Sequence, residues 1–441
     1  MANEKIGSTG KRTKLFDFDR HELPVVLLMF TFFFLFISVF QMLRPLKKGM
    51  FIEAFGADVE LYAKLLNIVV SAVGVVAFTF LVNRLQRHKV IFSLSIFFAA
   101  SFLVLSRLVA VAEPPAFSIW GFYLLGDLLT TMMVAAFWAY LTDITYPDQA
   151  KRLYGAIGTG GVLGGWLGAT ISKFLLKGLE TSGLLLVAGV LMIILVLITA
   201  TIESLVKRSV LFRKISAPLT EKSNWGTAAE GARLTFGSKY LLAIMGLMFF
   251  YEIGSQVNDY QFSKFTEGLK GLATTQAFLT QASFYANMLA VIVQLFLVSL
   301  VMRRFGVTVA LLFLPAALIL SSVGFFLVPT LVVASFLFIS DNGLNYSIQQ
   351  TSRESLYVVT SPEEKYKSRA FTNMFVQRVA KGLGIFIVIG LGLLGLKGTS
   401  TRYLSFITVL VMLILVALSI YAGRYFTRKE SEQPLPEAHP V

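Results

Sequence analysis

The sequence has no cysteine and few charged residues. The missing cysteines exclude disulfides, thiolate metal sites and cysteine nucleophiles. The three histidines, at positions 21, 88 and 439, are too scattered to predict a metal cluster. No Gly-x4-Gly-Lys-Ser/Thr motif occurs, which excludes ATP hydrolysis at a P-loop site. We therefore expect no catalytic residue, metal site or cofactor, and a protein that is not an enzyme.

Charged residues make up only 15% of the chain, against roughly 25% in soluble proteins. Hydrophobic residues account for 56%, and the mean hydropathy is +0.73. The apolar residues form runs of about 20, the length of helix that crosses roughly 30 Å of hydrocarbon. This pattern predicts an all-α polytopic membrane protein with twelve transmembrane helices, at residues 24–43, 63–82, 90–110, 118–140, 155–176, 183–203, 240–260, 276–300, 307–327, 329–349, 369–396 and 402–423.

The twelve segments fall into two sets of six, separated by a polar stretch from about Val206 to Ser238 that we interpret as a loop. Six plus six with a central loop is the layout of a major-facilitator-like transporter. The predicted regions are a cytoplasmic N-terminus (1–23), an N-terminal six-helix bundle (24–203), a cytoplasmic linker (204–239), a C-terminal six-helix bundle (240–423) and a cytoplasmic tail (424–441).

The net charge of +14 is explained by topology without a nucleic-acid partner. Most of the 39 lysines and arginines lie in loops on the side of the N-terminus, as in 83–89 and 303–304, so both termini should face the cytoplasm. Residues 1–23 lack an Ala-x-Ala cleavage pattern, which favours a retained first helix. We expect a monomer that spans a bacterial cytoplasmic (inner) membrane and has solvated loops on both sides of it.

Two short segments suggest an internal repeat with an offset of 215 residues. Residues 145–149 (TYPDQ) follow the fourth predicted span, and residues 360–364 (TSPEE) follow the tenth. Each is followed by cations and a helix that contains glycine. For the glycines between 155 and 168, close helix packing is the default explanation.

Ionisable side chains within predicted spans are the best candidates for a functional site, because a charge at the bilayer centre costs about 2.5–3.5 kcal/mol. Arg378 and Lys381 share one face of the eleventh span, and Arg44 and Lys47 have the same spacing at the end of the first. Cations converging from both halves suit a multiply charged anion such as a phosphate or carboxylate. Snorkelling is an alternative for the first-span cations, and a structural ion pair for those of the eleventh span.

Carboxylates in or beside the spans are candidates for counter-ions, gate residues or proton carriers. Asp143 ends the fourth span, and Asp259 lies at the 215-residue offset from Arg44, so that Asp259 and Arg44 could form a gate pair. The sequence does not choose among the roles of these residues, which are Asp127, Asp143, Glu252, Asp259 and Asp341.

Several segments resemble the nucleotide transporter family of ADP/ATP translocases found in plastids and intracellular bacteria. They are LRPLK (43–47), FWAYLTDIT (137–145), QAKRLY (149–154), NYS (345–347), TSRESLY (351–357), KSRA (367–370) and RVAKGLG (378–384). The resemblance implies exchange of adenine nucleotides by alternating access, with Lys47 and Lys381 contacting phosphate. It also implies acidic roles for Asp143 and for Asn258 or Asp259. Lys48 departs from the family, which has an acidic residue there.

The leading hypothesis is therefore a nucleotide exchanger that binds phosphates between Arg44/Lys47 and Arg378/Lys381. The alternative is a major-facilitator carrier of another organic or phosphorylated anion, proton-coupled through a carboxylate such as Asp127 or Glu252. A membrane scaffold is a third class, and it would not need paired buried cations.

Overall fold

The computed structural model describes residues 22–208, Phe212, 224–395 and 398–432, and the regular secondary structure within them is entirely helical. His21, His439 and most of the predicted N-terminal and C-terminal segments lie outside these residues. Fifteen α-helices occur in the described residues: α1 Leu23–Phe55, α2 Ala57–Arg84, α3 Arg87–Leu108, α4 Ala116–Ile144, α5 Pro147–Leu175, α6 Thr181–Arg208, α7 Asn224–Gly237, α8 Lys239–Thr266, α9 Leu272–Ile292, α10 Val298–Leu327, α11 Leu331–Leu344, α12 Gln350–Leu356, α13 Pro362–Phe371, α14 Gln377–Leu393 and α15 Ser405–Glu432.

Short irregular helices join several of these elements. π-Helical turns at Val293–Leu297, Asn345–Gln349 and Thr372–Val376 connect α9 to α10, α11 to α12 and α13 to α14. Gly306 interrupts α10 with a φ of 81°, a conformation that side chains with a Cβ rarely adopt. The helical stretch from α9 through α10 therefore turns at Gly306.

The described residues contain nine helical stretches long and apolar enough to cross a membrane. Each of the twelve predicted segments lies within or largely overlaps helical structure, and the observed helices extend several residues beyond most of them. The protein is thus an all-helical, multi-pass membrane protein.

The polar stretch predicted as a loop contains the helix α7, so that part of the prediction was wrong. Gly231 of α7 lies against the backbone carbonyl of Lys367 in α13. The Thr235 hydroxyl also donates a hydrogen bond of 2.8 Å to Ser368. Hydropathy missed α7 because this helix is stabilised by packing along one narrow face rather than by an apolar run.

Glycines of α5 bring that helix into contact with the backbone of α1. A Cβ added at Gly160 would lie 2.6 Å from the carbonyl oxygen of Phe30, and one at Gly168 would lie 2.5 Å from that of Ser38. Gly164, between them, approaches the Phe34 carbonyl in the same way. The i, i+4 spacing places these glycines on one face, which confirms the packing explanation.

The two repeat segments begin α5 and α13 with the same capping arrangement. The Gln149 side chain accepts a hydrogen bond from the backbone N–H of Tyr146 at 3.0 Å. Glu364 accepts one from the N–H of Ser361, also at 3.0 Å. Each half also has its own apolar core, since the largest buried cluster lies within residues 25–212 and the next within 240–426.

Candidate functional site

Lys47 of α1 forms a buried ion pair with Asp127 of α4. The Lys47 side chain is 5% exposed, and its Nζ also donates to the Tyr123 carbonyl at 3.3 Å. Gly126 makes room for this lysine, because a Cβ there would lie 2.8 Å from the Lys47 Cδ. Asp127 accepts a second hydrogen bond from Asn67 of α2 at 2.5 Å. The charge of Lys47 is therefore balanced within the first six helices.

Asp259 of α8 joins the two halves through two lysines. The Nζ atoms of Lys48 and Lys64 donate to its two carboxylate oxygens, each at 2.5 Å. Glu60, 1% exposed, lies 3.9 Å from Lys48 and 3.8 Å from Lys64. Two cations and two carboxylates make this group balanced in charge.

The predicted gate pair of Asp259 with Arg44 was wrong. Arg44 instead donates a hydrogen bond of 3.0 Å to the Asn342 side chain in α11. Lys48 lies one turn beyond Arg44 on α1, and it is Lys48 that forms the ion pair with Asp259. The repeat offset contains no information on helix rotation, which decides which side chain of α1 faces α8.

The structure also separates the roles of the two adjacent residues in α8. Asn258 accepts a hydrogen bond of 2.9 Å from Thr408 of α15 and is 1% exposed, so it faces its own half. Asp259 faces α1 and α2. Of the two positions suggested by the resemblance, Asp259 is therefore the one at the contact between halves.

Further polar contacts close one end of the bundle, where α1 and α8 end and α2 and α9 begin; we call this the closed end. Asp58 accepts hydrogen bonds from Tyr260 at 2.7 Å and from Lys264 at 3.1 Å. Glu53 accepts one from Thr275 at 3.2 Å. Other hydrogen bonds that join the halves lie between mid-depth and this end.

On the other side of the central region, Lys381 and Arg378 of α14 are incompletely paired. The Nζ of Lys381 lies 3.9 Å from Glu252 of α8, and its side chain is 41% exposed. Glu252 is buried and accepts a hydrogen bond from Gln377 at 2.5 Å. Among the described residues, Arg378 has no carboxylate within ion-pair distance. Lys381 and Arg378 thus remain open to an anionic ligand, as does Arg44, whose partner Asn342 is neutral.

Arg44, Lys47, Asp127, Glu252 and Lys381 form the central cluster, whose members are close enough to interact electrostatically across the two halves. Beside it lies a small cavity lined by Arg44 and by polar and aromatic side chains of α9, of α11 and of the π-helical turn after α11, including Asn287, Asn342 and Tyr346. Tyr346 is 54% exposed. The cavity therefore offers a cation, amides and an aromatic ring side by side.

Asp143 lies away from the central cluster, near the end of α4. It pairs with Arg87 of α3 at 3.0 Å. Sixteen residues separate it from Asp127, which is about 24 Å along a helix. The predicted site residues are thus divided between the central cluster, its neighbour Arg378, the closed end (Asp259) and this remote position.

Sequence reasoning did not single out Lys64, Glu60 and Asn342, which complete these contacts. Lys64 and Glu60 lie at the start of the second span, where an interfacial location needs no special explanation. Asn342 carries no charge. Only their contacts with residues of distant helices reveal their place in the site.

The chain is similar in sequence to a known family of transporters. The profile of the family described as TLC ATP/ADP transporter matches residues 1–111 and 106–424. The ADP,ATP carrier protein 1 of Chlamydia trachomatis serovar D is 24% identical over 97% of this chain and 94% of its own length. The ADP,ATP carrier protein 4 of Rickettsia felis is 23% identical over 83% of this chain and 84% of its own.

Solved transporter structures share the fold. A bacterial homologue of the human lysosomal transporter Spinster, in an inward-facing and unoccupied conformation, matches with a TM-score of 0.59 and 15% identity, over 95% of this chain and all of that one. A bacterial homologue of the iron transporter ferroportin, in an inward-facing state, matches with a TM-score of 0.60 and 13% identity, over 91% and 99%. The helices are therefore arranged as in known transporters.

Proposed function

The chain belongs to the TLC ATP/ADP transporter family, and on this basis we propose that it exchanges adenine nucleotides such as ATP and ADP across a membrane by alternating access. The observation that carries the proposal is the central cluster, in which cations of both halves meet beside a polar cavity. The two incompletely paired cations of α14 are free to accept new anionic partners. A nucleotide supplies these partners through its phosphates.

We propose that Lys381 and Arg378 bind phosphate from one side and Arg44 from the other. Arg44 holds only a neutral partner, Asn342, in the described structure. Lys47 is already paired with Asp127, so a phosphate must compete with this carboxylate. Such an exchange of partners would connect substrate binding to the relative position of the helices.

The proposed architecture is twelve spans in two six-helix halves, 24–203 and 240–423. The stretch Leu272–Leu327 has 56 residues, about 84 Å of helix, and its turn at Gly306 allows two crossings of roughly 30 Å. α5, with 29 residues, and the stretch from α13 through α14 are also long enough. Together with the eight remaining apolar stretches these supply twelve.

We propose that both termini face the cytoplasm of a bacterial cell and that the protein works as a monomer in its cytoplasmic membrane. The support for orientation is the concentration of lysine and arginine on the loops of one side. The similar carriers of Chlamydia and Rickettsia are bacterial proteins. In this orientation the closed end faces outward.

Transport into proteoliposomes tests the proposal. Purified protein is reconstituted in vesicles that are preloaded with ADP, preloaded with an organic dicarboxylate or left empty, and labelled ATP is added outside. We expect rapid uptake only with internal ADP, because each nucleotide must be exchanged for another. Equal uptake with internal dicarboxylate, or competition by unrelated phosphorylated anions as strong as that by ADP, would favour a carrier of other anions.

A further inference from the structure

Asp341 of α11 is a buried carboxylate in the middle of the bundle. Its side chain is 3% exposed and lies one residue before Asn342, the partner of Arg44. Two hydroxyl groups of α8 donate to its oxygens, Tyr251 at 2.9 Å and Ser255 at 2.7 Å. Asp341 is therefore held in place by hydrogen bonds from neutral groups.

The absence of a cation distinguishes Asp341 from the other carboxylates at this depth. Asp127 pairs with Lys47, Asp259 pairs with two lysines, and Glu252 has Lys381 at 3.9 Å. No lysine or arginine of the described residues lies within 4.0 Å of Asp341. Burial of an ionised carboxylate without a cation is costly, and the group relieves this cost by binding a proton.

The helices packed against α11 also favour binding of a proton by Asp341. On α8, Glu252 and Asp259 are carboxylates that face Asp341 along with Tyr251. On α1, Arg44 bonds to Asn342, the residue after Asp341. The π-helical turn after α11 contributes Tyr346, which lines the Arg44 cavity.

The two remaining neighbours of α11 supply no cation to Asp341. The only ionisable side chain of α9 is Tyr285. The two ionisable side chains of α10, Arg303 and Arg304, lie near Gly306, at the opposite end of α10 from its connection to α11. The charged groups that face Asp341 from neighbouring helices are thus mostly negative.

We propose that Asp341 holds its proton more tightly when the anionic substrate is bound. At a pH where the substrate-free carboxyl is partly ionised, substrate binding then takes up a proton and substrate release returns it, so that nucleotide movement is coupled to protons. This inference rests on the proposed nucleotide function. Phosphates in the Arg44 cavity would bring negative charge close to Asp341 and favour its neutral form. By reciprocal linkage, protonation of Asp341 strengthens binding of the anion. The Tyr251 and Ser255 hydroxyls can bond to either form, because a hydroxyl both donates and accepts.

The first measurement asks whether Asp341 holds a proton in the ligand-free protein. Infrared spectra recorded from about pH 6 upward, where exposed aspartates with a pKa of about 3.9 are ionised, report the carbonyl stretch of protonated carboxyl groups. We expect such a band in the wild type and its loss in Asp341→Asn. Asp143→Asn, at the remote position where the carboxylate pairs with Arg87, is the control and should retain the band. A spectrum of Asp341→Asn identical to that of the wild type would overturn the proposal.

The second measurement asks whether the proton is linked to the substrate. Proton uptake on addition of ADP is followed in weakly buffered solution, near the pH at which the ligand-free band is half lost. The wild type should take up more protons per bound ADP than Asp341→Asn, and its Kd should rise up to about tenfold per pH unit relative to that of the variant. Titration of the ADP phosphates is common to both proteins and cancels in the difference.

The outcomes separate the two claims. Binding of ADP with the same pH profile in both proteins would overturn proton coupling and leave nucleotide exchange intact. If neither protein binds ADP at any pH, the proposed function and the substrate linkage both fail, whatever the infrared band shows.

Discussion

Lys47 and Lys381 lie on opposite sides of the central cluster and differ in how their charges are balanced. Lys47 is buried against Asp127, whereas the Lys381 side chain is 41% exposed and 3.9 Å from its carboxylate. A buried ion pair has a large cost when only one partner is removed, because the other charge is then left without compensation. We therefore expect Lys47 to contribute to the stability of the fold, and Lys381 not to.

Replacement of Lys47 by methionine tests this difference at the level of a single residue. We expect Lys47→Met to reduce the free energy of unfolding by about 2 kcal/mol, less than for a fully buried pair because the Asp127 side chain is 32% exposed. The double variant Lys47→Met/Asp127→Asn should recover most of the loss. Thermal unfolding in detergent measures both, and a double variant no more stable than the single one would contradict the assignment.

Among the helices, the contact of α1 with α5 depends on glycines that admit the α1 backbone. At Gly164 an added Cβ would collide with the Phe34 carbonyl, whereas at Gly158 it would meet no atom within 4 Å. Both positions lie on α5, so alanine has the same intrinsic helix preference at each.

Gly164→Ala and Gly158→Ala are therefore a matched pair. We expect Gly164→Ala to lower stability by about 1–3 kcal/mol, because α1 and α5 must move apart. Gly158→Ala should be neutral or slightly stabilising, since alanine favours the helix by about 1 kcal/mol. Thermal unfolding of the two purified variants measures the difference, and equal melting temperatures would show that the close approach does not contribute to stability.

Helices and ionic partners were not equally predictable from the sequence. The apolar runs predicted the spans because the bilayer requires about 20 apolar residues for each. Buried charge indicated the candidate site residues, since such charge is costly and needs a partner or a cavity. The predicted partner of Asp259, Arg44, was wrong. Arg44 and Lys48 lie one turn apart on α1, and only the packing of the helices determines which of these two side chains faces α8. α7 was missed because it is short and polar.

At the scale of the whole molecule, the two halves are joined by polar contacts from mid-depth to the closed end. Alternating access requires these contacts to break when the closed end opens. Glu53 and Thr275 are hydrogen-bonded across it at 3.2 Å. Because the sequence has no cysteine, introduced thiols at these positions are the only ones to react.

Cross-linking tests whether opening of the closed end is part of transport. The double variant Glu53→Cys/Thr275→Cys is treated with a short bis-maleimide, which adds one cysteine thiol to each of its two double bonds, and labelled ATP uptake into ADP-loaded vesicles is measured. We expect uptake to stop, because the halves can no longer separate there, while each single-cysteine variant continues to transport after the same treatment. Undiminished uptake by fully cross-linked protein would mean that transport proceeds without opening of the closed end.

The central claim is that nucleotides are exchanged at a site to which Lys381 contributes a phosphate-binding charge. Uptake of labelled ATP into ADP-loaded vesicles, compared between the wild type, Lys381→Gln and the surface control Lys429→Gln, tests it most directly. Loss of a charge-assisted bond of about 1.5–3 kcal/mol predicts at least about a tenfold loss for Lys381→Gln. Lys429 pairs with Glu432 at 2.9 Å in the last turn of α15, far from the cluster in sequence and structure, and its variant should transport normally. Wild-type uptake by folded, reconstituted Lys381→Gln would contradict the account.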